Sequence, residues 1–282
     1  MIDVNCVPCL RKQATRLFNK YEISEERQIV LKGVFEDFLQ NNGVNQPSPL
    51  SAQFLNRLVR EETGITDLYF EEKKFYNNIL LGRYGQLKKE VLGSDDPLKT
   101  ALRYALAGNI IDFGPPHEFD LDATFSEALD KKMGIDHSDE LFRDIEQARM
   151  VLYLGDNAGE IVTDKLFIET LNHPNLFFAV RGKPVLNDVT IIEAEEVRMH
   201  EVAQVVDNGF DAPSTLTEYC SDEFMEIFNN ADVIISKGQG NFEGLYGQVN
   251  HKRLYFLFMV KCDEIAKATG RSKNEAVVLK NE

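Results

Sequence analysis

Apolar and polar positions change rhythm once along the chain. From Pro8 to about Arg149 the pattern is mostly helical, with apolar residues at helical spacing in the stretches 7–20, 24–41, 50–62, 68–92 and 97–112, separated by Gly, Pro and Asn. Ile29, Val34, Phe35, Phe38 and Leu39 predict a helix with one buried face, and the glutamates and lysines between them form its solvated face. After Arg149 short apolar runs take over, at 150–154, 176–180, 202–206, 232–236 and 254–260. Helical segments lie between them at 159–171, 189–199, 214–229 and 243–252. Strand alternating with helix predicts right-handed crossovers and a mostly parallel sheet. The expected class is α/β: a mainly helical N-terminal domain, 1–148, joined to a three-layer α/β/α domain, 149–282, with a Rossmann-like sheet.

Polar clusters follow four of these runs directly: Gly155-Asp156-Asn157-Ala158-Gly159-Glu160, Arg181-Gly182-Lys183, Asp207-Asn208-Gly209 and Lys237-Gly238-Gln239-Gly240-Asn241. In an open parallel sheet all of them project from the carboxyl edge, where ligands bind. Asp156 and Asn157 follow a strand and precede a helix, and a second carboxylate, Asp188, stands one loop beyond the neighbouring strand beside Asn187. Two carboxylates and an amide oxygen, without His or Cys, suit Mg²⁺ or Mn²⁺ better than zinc. Taken singly, each residue also suits a turn or a helix cap. Their convergence on one edge, with Lys and Arg nearby, is what points to a metal site.

The glycines after Ser236 let backbone amides approach an anion, and Lys237 is placed to neutralise a phosphoryl oxygen. Neither GxxxxGK[ST] nor GxGxxG is present, which argues against a Walker loop and a conventional dinucleotide site. A divalent ion, Lys237 and Arg181 are equipment for phosphoryl transfer to water: the metal polarises the phosphoryl oxygens and activates a water, and the two side chains stabilise developing charge. Attack by Asp156 itself, through an aspartyl phosphate, is the alternative.

Composition narrows the picture further. With 282 residues, 43% of them hydrophobic, the chain is long enough to bury a sizeable core. A formal charge of −15, from 31 Lys plus Arg against 46 Asp plus Glu, argues against a nucleic-acid partner. The longest apolar run, 254–260, is far shorter than the ~20 residues of a membrane span, and residues 1–10 lack a secretory pattern, so a cytoplasmic protein is expected. The histidines show no close pairing, which leaves a histidine metal centre or a Ser-His-Asp triad without support. Cys6 and Cys9 form a CxxC pair without a second pair for a four-cysteine site. They suit a redox-sensitive lid, a second metal or simple packing.

At these same residues the chain resembles the damage-control phosphatases, also described as an acidic-residue methyltransferase-like family and first as a domain of unknown function. The matching elements are, in order, Cys6-Val-Pro-Cys9, Gly108-Asn109-Ile110-Ile111-Asp112-Phe113-Gly114, Gly155 to Glu160, Arg181-Gly182-Lys183-Pro184 with Asn187-Asp188, and Ser236-Lys237-Gly238-Gln239-Gly240-Asn241-Phe242-Glu243. The amino-terminal CxxC is similar to the compact prokaryotic branch. The resemblance implies hydrolysis of small phosphate monoesters (sugar phosphates, nucleotides or damaged phosphometabolites) with Mn, Co, Ni or Mg. Asp156, Asn157 and Asp188 would hold the metal, and Asp156 and Lys237 would serve in catalysis. Glu160, Arg181, Lys183, Asn109, Gly238, Gly240 and Asn241 would contact substrate, with Asn109 and Asp112 reaching across from the first domain. One departure is Pro213-Ser214-Thr215, where a Gly-Thr pair is expected to help form the pocket. The rival functions are an S-adenosylmethionine-dependent carboxyl methyltransferase, an activity attributed to a relative, and a non-catalytic metal or nucleotide sensor.

Overall fold

The computed structural model describes residues 6–41, 46–109, 121–130 and 132–281. Asp112 and Gly114 lie outside them. Helices α1 (Val7–Lys20), α2 (Glu25–Asn41) and α3 (Ser48–Thr63) come first. They share a core in which Leu10, Leu17 and Phe18 meet Leu31, Phe35 and Leu39 of α2 and Leu55 and Val59 of α3. The buried stripe of α2 is thus Leu31, Phe35 and Leu39, one residue every four. Ile29 is 73% and Val34 41% exposed, which corrects the expectation that they share the buried face. The helix carries two apolar stripes, and Leu31 belongs to the one that packs.

Next come α4 (Phe70–Gly93), α5 (Pro97–Gly108), α6 (Leu121–Asp130), a short β1 (Ile135–Asp136) and α7 (Ser138–Gln147). Asp96 starts α5 by accepting from the Lys99 amide. Tyr76, Leu80, Ala101, Leu102, Leu141 and Ile145 from these helices lie in one hydrophobic cluster with Val151, Tyr153 and Phe178. Residues predicted to belong to a separate helical domain, 1–148, therefore divide. The first three helices have their own core, while α4, α5 and α7 need the sheet to bury their apolar sides.

The rest follows the expected alternation: β2 (Val151–Leu154), α8 (Glu160–Leu171), β3 (Leu176–Val180), α9 (Ile191–Glu196), β4 (Gln204–Asp207), α10 (Asp222–Asn230), β5 (Val233–Lys237), α11 (Gly238–Leu245), β6 (Leu254–Met259), α12 (Asp263–Thr269) and β7 (Ala276–Lys280). The strand order is β1-β7-β6-β5-β2-β3-β4. Every neighbouring pair is parallel except β6 with β7. From β2 the chain builds outward through β3 and β4, then crosses back to lay β5 on the other side of β2. The loops leaving β2 and β5 therefore part company at the carboxyl edge, and that divergence opens a crevice for ligand. Among the described residues no helix is long and apolar enough to cross a membrane.

Candidate metal and phosphate site

The crevice is built by two loops that behave like a miniature sheet. The Asp156 carbonyl accepts from the Val189 amide at 2.9 Å, and the Ala158 amide donates to the Asn187 carbonyl at 2.9 Å, so Asn157 and Asp188 pair as an antiparallel bridge. Backbone pairing thus brings Asp156, Asn157 and Asp188 to one rim. Arg181 sits between the carboxylates: its Nε donates to Asp188 Oδ2 at 2.7 Å, and its Nη2 lies 3.9 Å from Asp156 Oδ1. The Asn157 amide donates to Asp156 at 2.6 Å and to Glu160 at 3.1 Å, and Asn109, from the end of α5, donates to the same two carboxylates at 3.1 and 2.9 Å.

Beneath this rim lies a wholly buried ion cluster. Lys237, at the end of β5, donates to Glu160 and Asp164 at 2.6 Å each and to the Ala105 carbonyl at 2.9 Å. Tyr153 completes it with a 2.7 Å hydrogen bond to Asp164. Asp164 escaped the sequence analysis; its signal was a second acid four residues after Glu160, on the same face of the helix. Burial, then the charges of Glu160 and Asp188, hold the Asp156 carboxyl well above the usual carboxylate range, against the opposing charges of Arg181 and Lys261. Burial likewise lifts Asp188 to about 6 although Arg181 lies against it, and Asp164 to about 7 although Lys237 does.

Several sequence expectations need correction. Lys237 has no donor left for a phosphoryl oxygen, because an ammonium has three and all are taken. Asn241 is also fully committed: its amide donates to the Gly155 and Lys237 carbonyls and its oxygen accepts from the Thr215 amide, clasping three loops together. The loop around it is the first turn of α11, not an open anion loop. Lys183 is exposed and lines a separate hollow with Arg57, Arg60 and Asp211. Arg181 is buried and holds Asp188 rather than facing the cleft. Ser214, the residue departing from the family pattern, is fully buried beside Gly244.

Above the rim opens a cleft of about 480 Å³, lined on its floor by Asp156, Asn157, Asp188 and Gly240. Its far wall is the three-helix cluster, through Cys6, Cys9, Leu10 and Gln13 and through Ser48, Pro49 and Ala52. That cluster is clamped over the strand ends by Gln53 and Arg57 on Asp211 and by Arg60 on the Pro184 carbonyl. The thiols of Cys6 and Cys9 share the cleft with Cys262, and the four cysteines form no disulfide with one another.

The donor set fits a divalent ion. Four buried carboxyl groups, Asp156, Glu160, Asp164 and Asp188, face two buried cations, Arg181 and Lys237, so the acids outnumber the cations, and burial raises the pKa of Asp156, Asp164 and Asp188. All the donors are oxygen, as a hard cation requires. Among the described residues no three Asp, Glu, His or Cys side chains already stand as a closed ligand set. The rim offers two carboxylates and an amide oxygen, with Glu160 turned toward Lys237, so a bound ion would keep open positions.

A cation-seeking acid cluster at the divergence of a parallel sheet, under a cleft of small-molecule size, is the equipment of a metal-dependent hydrolase. The sequence matches the damage-control phosphatase ARMT1-like domain over residues 2–277, and the chain belongs to that family, whose members hydrolyse phosphate esters in dependence on a divalent metal. It is 33% identical to the damage-control phosphatase PH1575 of Pyrococcus horikoshii over 216 residues, 75% of this chain and 74% of that one. It is 29% identical to a damage-control phosphatase of Archaeoglobus fulgidus over 282 residues, 96% of each. The crystal structure of a DUF89 family protein, PH1575 of P. horikoshii, superposes with a TM-score of 0.88 at 27% identity, covering 100% of this chain and 99% of that one.

Proposed function

We propose that this phosphatase acts on small phosphate monoesters (sugar phosphates, nucleotides or damaged phosphometabolites) with Asp156, Asn157 and Asp188 holding Mn²⁺, Co²⁺, Ni²⁺ or Mg²⁺. The observation that carries this is the pairing of Asn157 with Asp188, which sets two carboxyl groups and an amide oxygen on one rim beneath the cleft. A divalent ion in that place supplies Lewis acidity toward the phosphoryl oxygens and the attacking water.

The remaining work falls to the chain. Asn109 and Asn157 fix the Asp156 carboxylate by donating to it, and Asn157 keeps its own amide oxygen uncommitted among the described residues. Arg181 holds the Asp188 carboxylate in the orientation that the rim requires. Lys237 locks Glu160 and Asp164 behind them, which makes it a positioning residue. The cleft, walled by α1 and α3, is large enough to admit a small ester.

The test is phosphate release from a panel of monoesters, with each of the four metals and with a chelator. Metal-supported release that the chelator abolishes is expected. Absence of release with every ester and metal, together with tight binding of S-adenosylmethionine, would transfer the site to methyl transfer.

A further inference from the structure

We infer that Asn77, on the buried side of α4, is a positioning residue for the metal rim, fixing from behind the turn that carries Asp156 and Asn157. The inference rests on the metal reading above and adds to it a residue outside the cleft.

The rim is held together at its centre by little. Asn157 and Asp188 pair through two backbone hydrogen bonds, Val189 to the Asp156 carbonyl and Ala158 to the Asn187 carbonyl, and the bridge extends no further. Helix α4 spans both of its halves. Lys73 and Asn77 stand four residues apart and so share one face of the helix. The Lys73 ammonium, fully buried, donates to the Asp188 carbonyl at 3.4 Å and pairs with Asp67 at 2.6 Å and Glu193 at 2.9 Å. Glu193 in turn accepts from the Thr190 amide and hydroxyl at 2.7 Å each, so Lys73 ties α4 to the whole segment from Asp188 to the start of α9.

Asn77 ties the same helix to the other half. Its Oδ1 accepts from the buried Gly159 amide at 2.6 Å, and its Nδ2 donates to Glu196 Oε2 at 3.0 Å. The turn lies hard against α4: Gly159 has φ of +77°, and a Cβ on it would meet the Tyr76 Cβ at 3.1 Å. Gly159 comes three residues after Asp156 and directly before Glu160, so a shift at its amide displaces both carboxyl groups. With Lys73 on one half and Asn77 on the other, α4 acts as a splint across the bridge. Neither side chain lines the cleft, so removing Asn77 acts on the rim and takes no contact from the ester. Loss of its oxygen leaves a buried amide without an acceptor, and the turn has to move to satisfy it.

The test is calorimetric titration with Mn²⁺ of wild type, Asn77→Leu and the double variant Asn77→Asp/Glu196→Gln. Asn77→Leu fills the same space without an acceptor and should weaken Mn²⁺ binding by about 10–100-fold, as loss of a supporting partner does. The double variant restores both hydrogen bonds with donor and acceptor exchanged between residues 77 and 196, and should recover most of the affinity. At saturating Mn²⁺, KM for a phosphomonoester should stay at the wild-type value in Asn77→Leu. Leu87→Ala truncates the core about 15 Å further along the same helix, and should lower the melting temperature while leaving Mn²⁺ affinity unchanged. Should Asn77→Leu not fold, Asn77→Ser, too short to reach Gly159, takes its place with the same expectation. A folded Asn77 variant that binds Mn²⁺ as wild type does would overturn the inference and leave the metal reading standing. So would a double variant as weak as Asn77→Leu, or an equal loss of affinity in Leu87→Ala, which would mean that general stability sets the binding. A wild-type chain that binds no Mn²⁺ would remove the metal reading and the inference with it.

Discussion

Gly238 lies so close to the carboxylate of Asp156 that a Cβ placed on it would collide with Asp156 Oδ2 and Cγ. The two residues follow the adjacent strands on either side of the chain's crossing point, Gly238 after β5 and Asp156 after β2, so this contact is the seam on which the rim is built. Gly238 also has φ of +79°, a left-handed conformation that side chains resist. Gly238→Ala is expected to weaken divalent metal binding by about 10–100-fold, as loss of a supporting contact does. Titration with Mn²⁺ checks it, and circular dichroism separates displacement of Asp156 from loss of fold.

Lys237→Met leaves Glu160 and Asp164 buried without their cation. An uncompensated buried charge costs about 3–5 kcal/mol, so the urea midpoint should fall steeply at neutral pH. Asp164 holds its proton up to about 7, so protonation relieves the strain and the deficit should shrink as pH is lowered from 8 to 5. A pH-independent deficit would mean that Lys237 is held for packing alone.

The fold was legible wherever apolar rhythm was unambiguous. The runs at 150–154, 176–180 and 232–236 are wholly or largely buried strands, and burial is what makes them continuous rather than alternating. β1 has two residues and β7 runs antiparallel at the chain end, so neither fits a βα unit, and both escaped notice. Helix α11 was predicted at 243–252 because Gly238 and Gly240 read as loop. Tertiary contact overrides that propensity, since the space beside Gly240 is filled by the Pro213 carbonyl. Asp156, Asn157 and Asp188 could be named because each follows a strand, and the structure brings them together. That Lys237 is saturated could not be read, because its partner Asp164 and acceptor Ala105 lie on helices whose packing is set by the three-dimensional core.

The acid cluster sets a pH dependence of definite sign. Asp188 and Asp164 titrate near about 6 and about 7 in the folded chain, above the ~3.9 of an unfolded aspartate. The native state therefore binds these protons more tightly than the unfolded state does. Their contribution to stability is complete below about pH 4 and is lost as pH rises through 6 to 7. The metal-free protein is expected to show a falling contribution to its melting temperature from this cluster across that window. Saturating Mn²⁺ should reverse the trend, because metal competes with the same protons. Thermal melts at pH 5 and pH 8, each with chelator and with Mn²⁺, check it: the stabilisation by metal should be larger at pH 8.

The account stands on Asp156 and Asp188 sharing one cation. Calorimetric titration with Mn²⁺ at neutral pH should find one ion per chain in wild type and none bound by Asp156→Asn or Asp188→Asn, with both variants folded. Wild-type stoichiometry and affinity in both variants would contradict it.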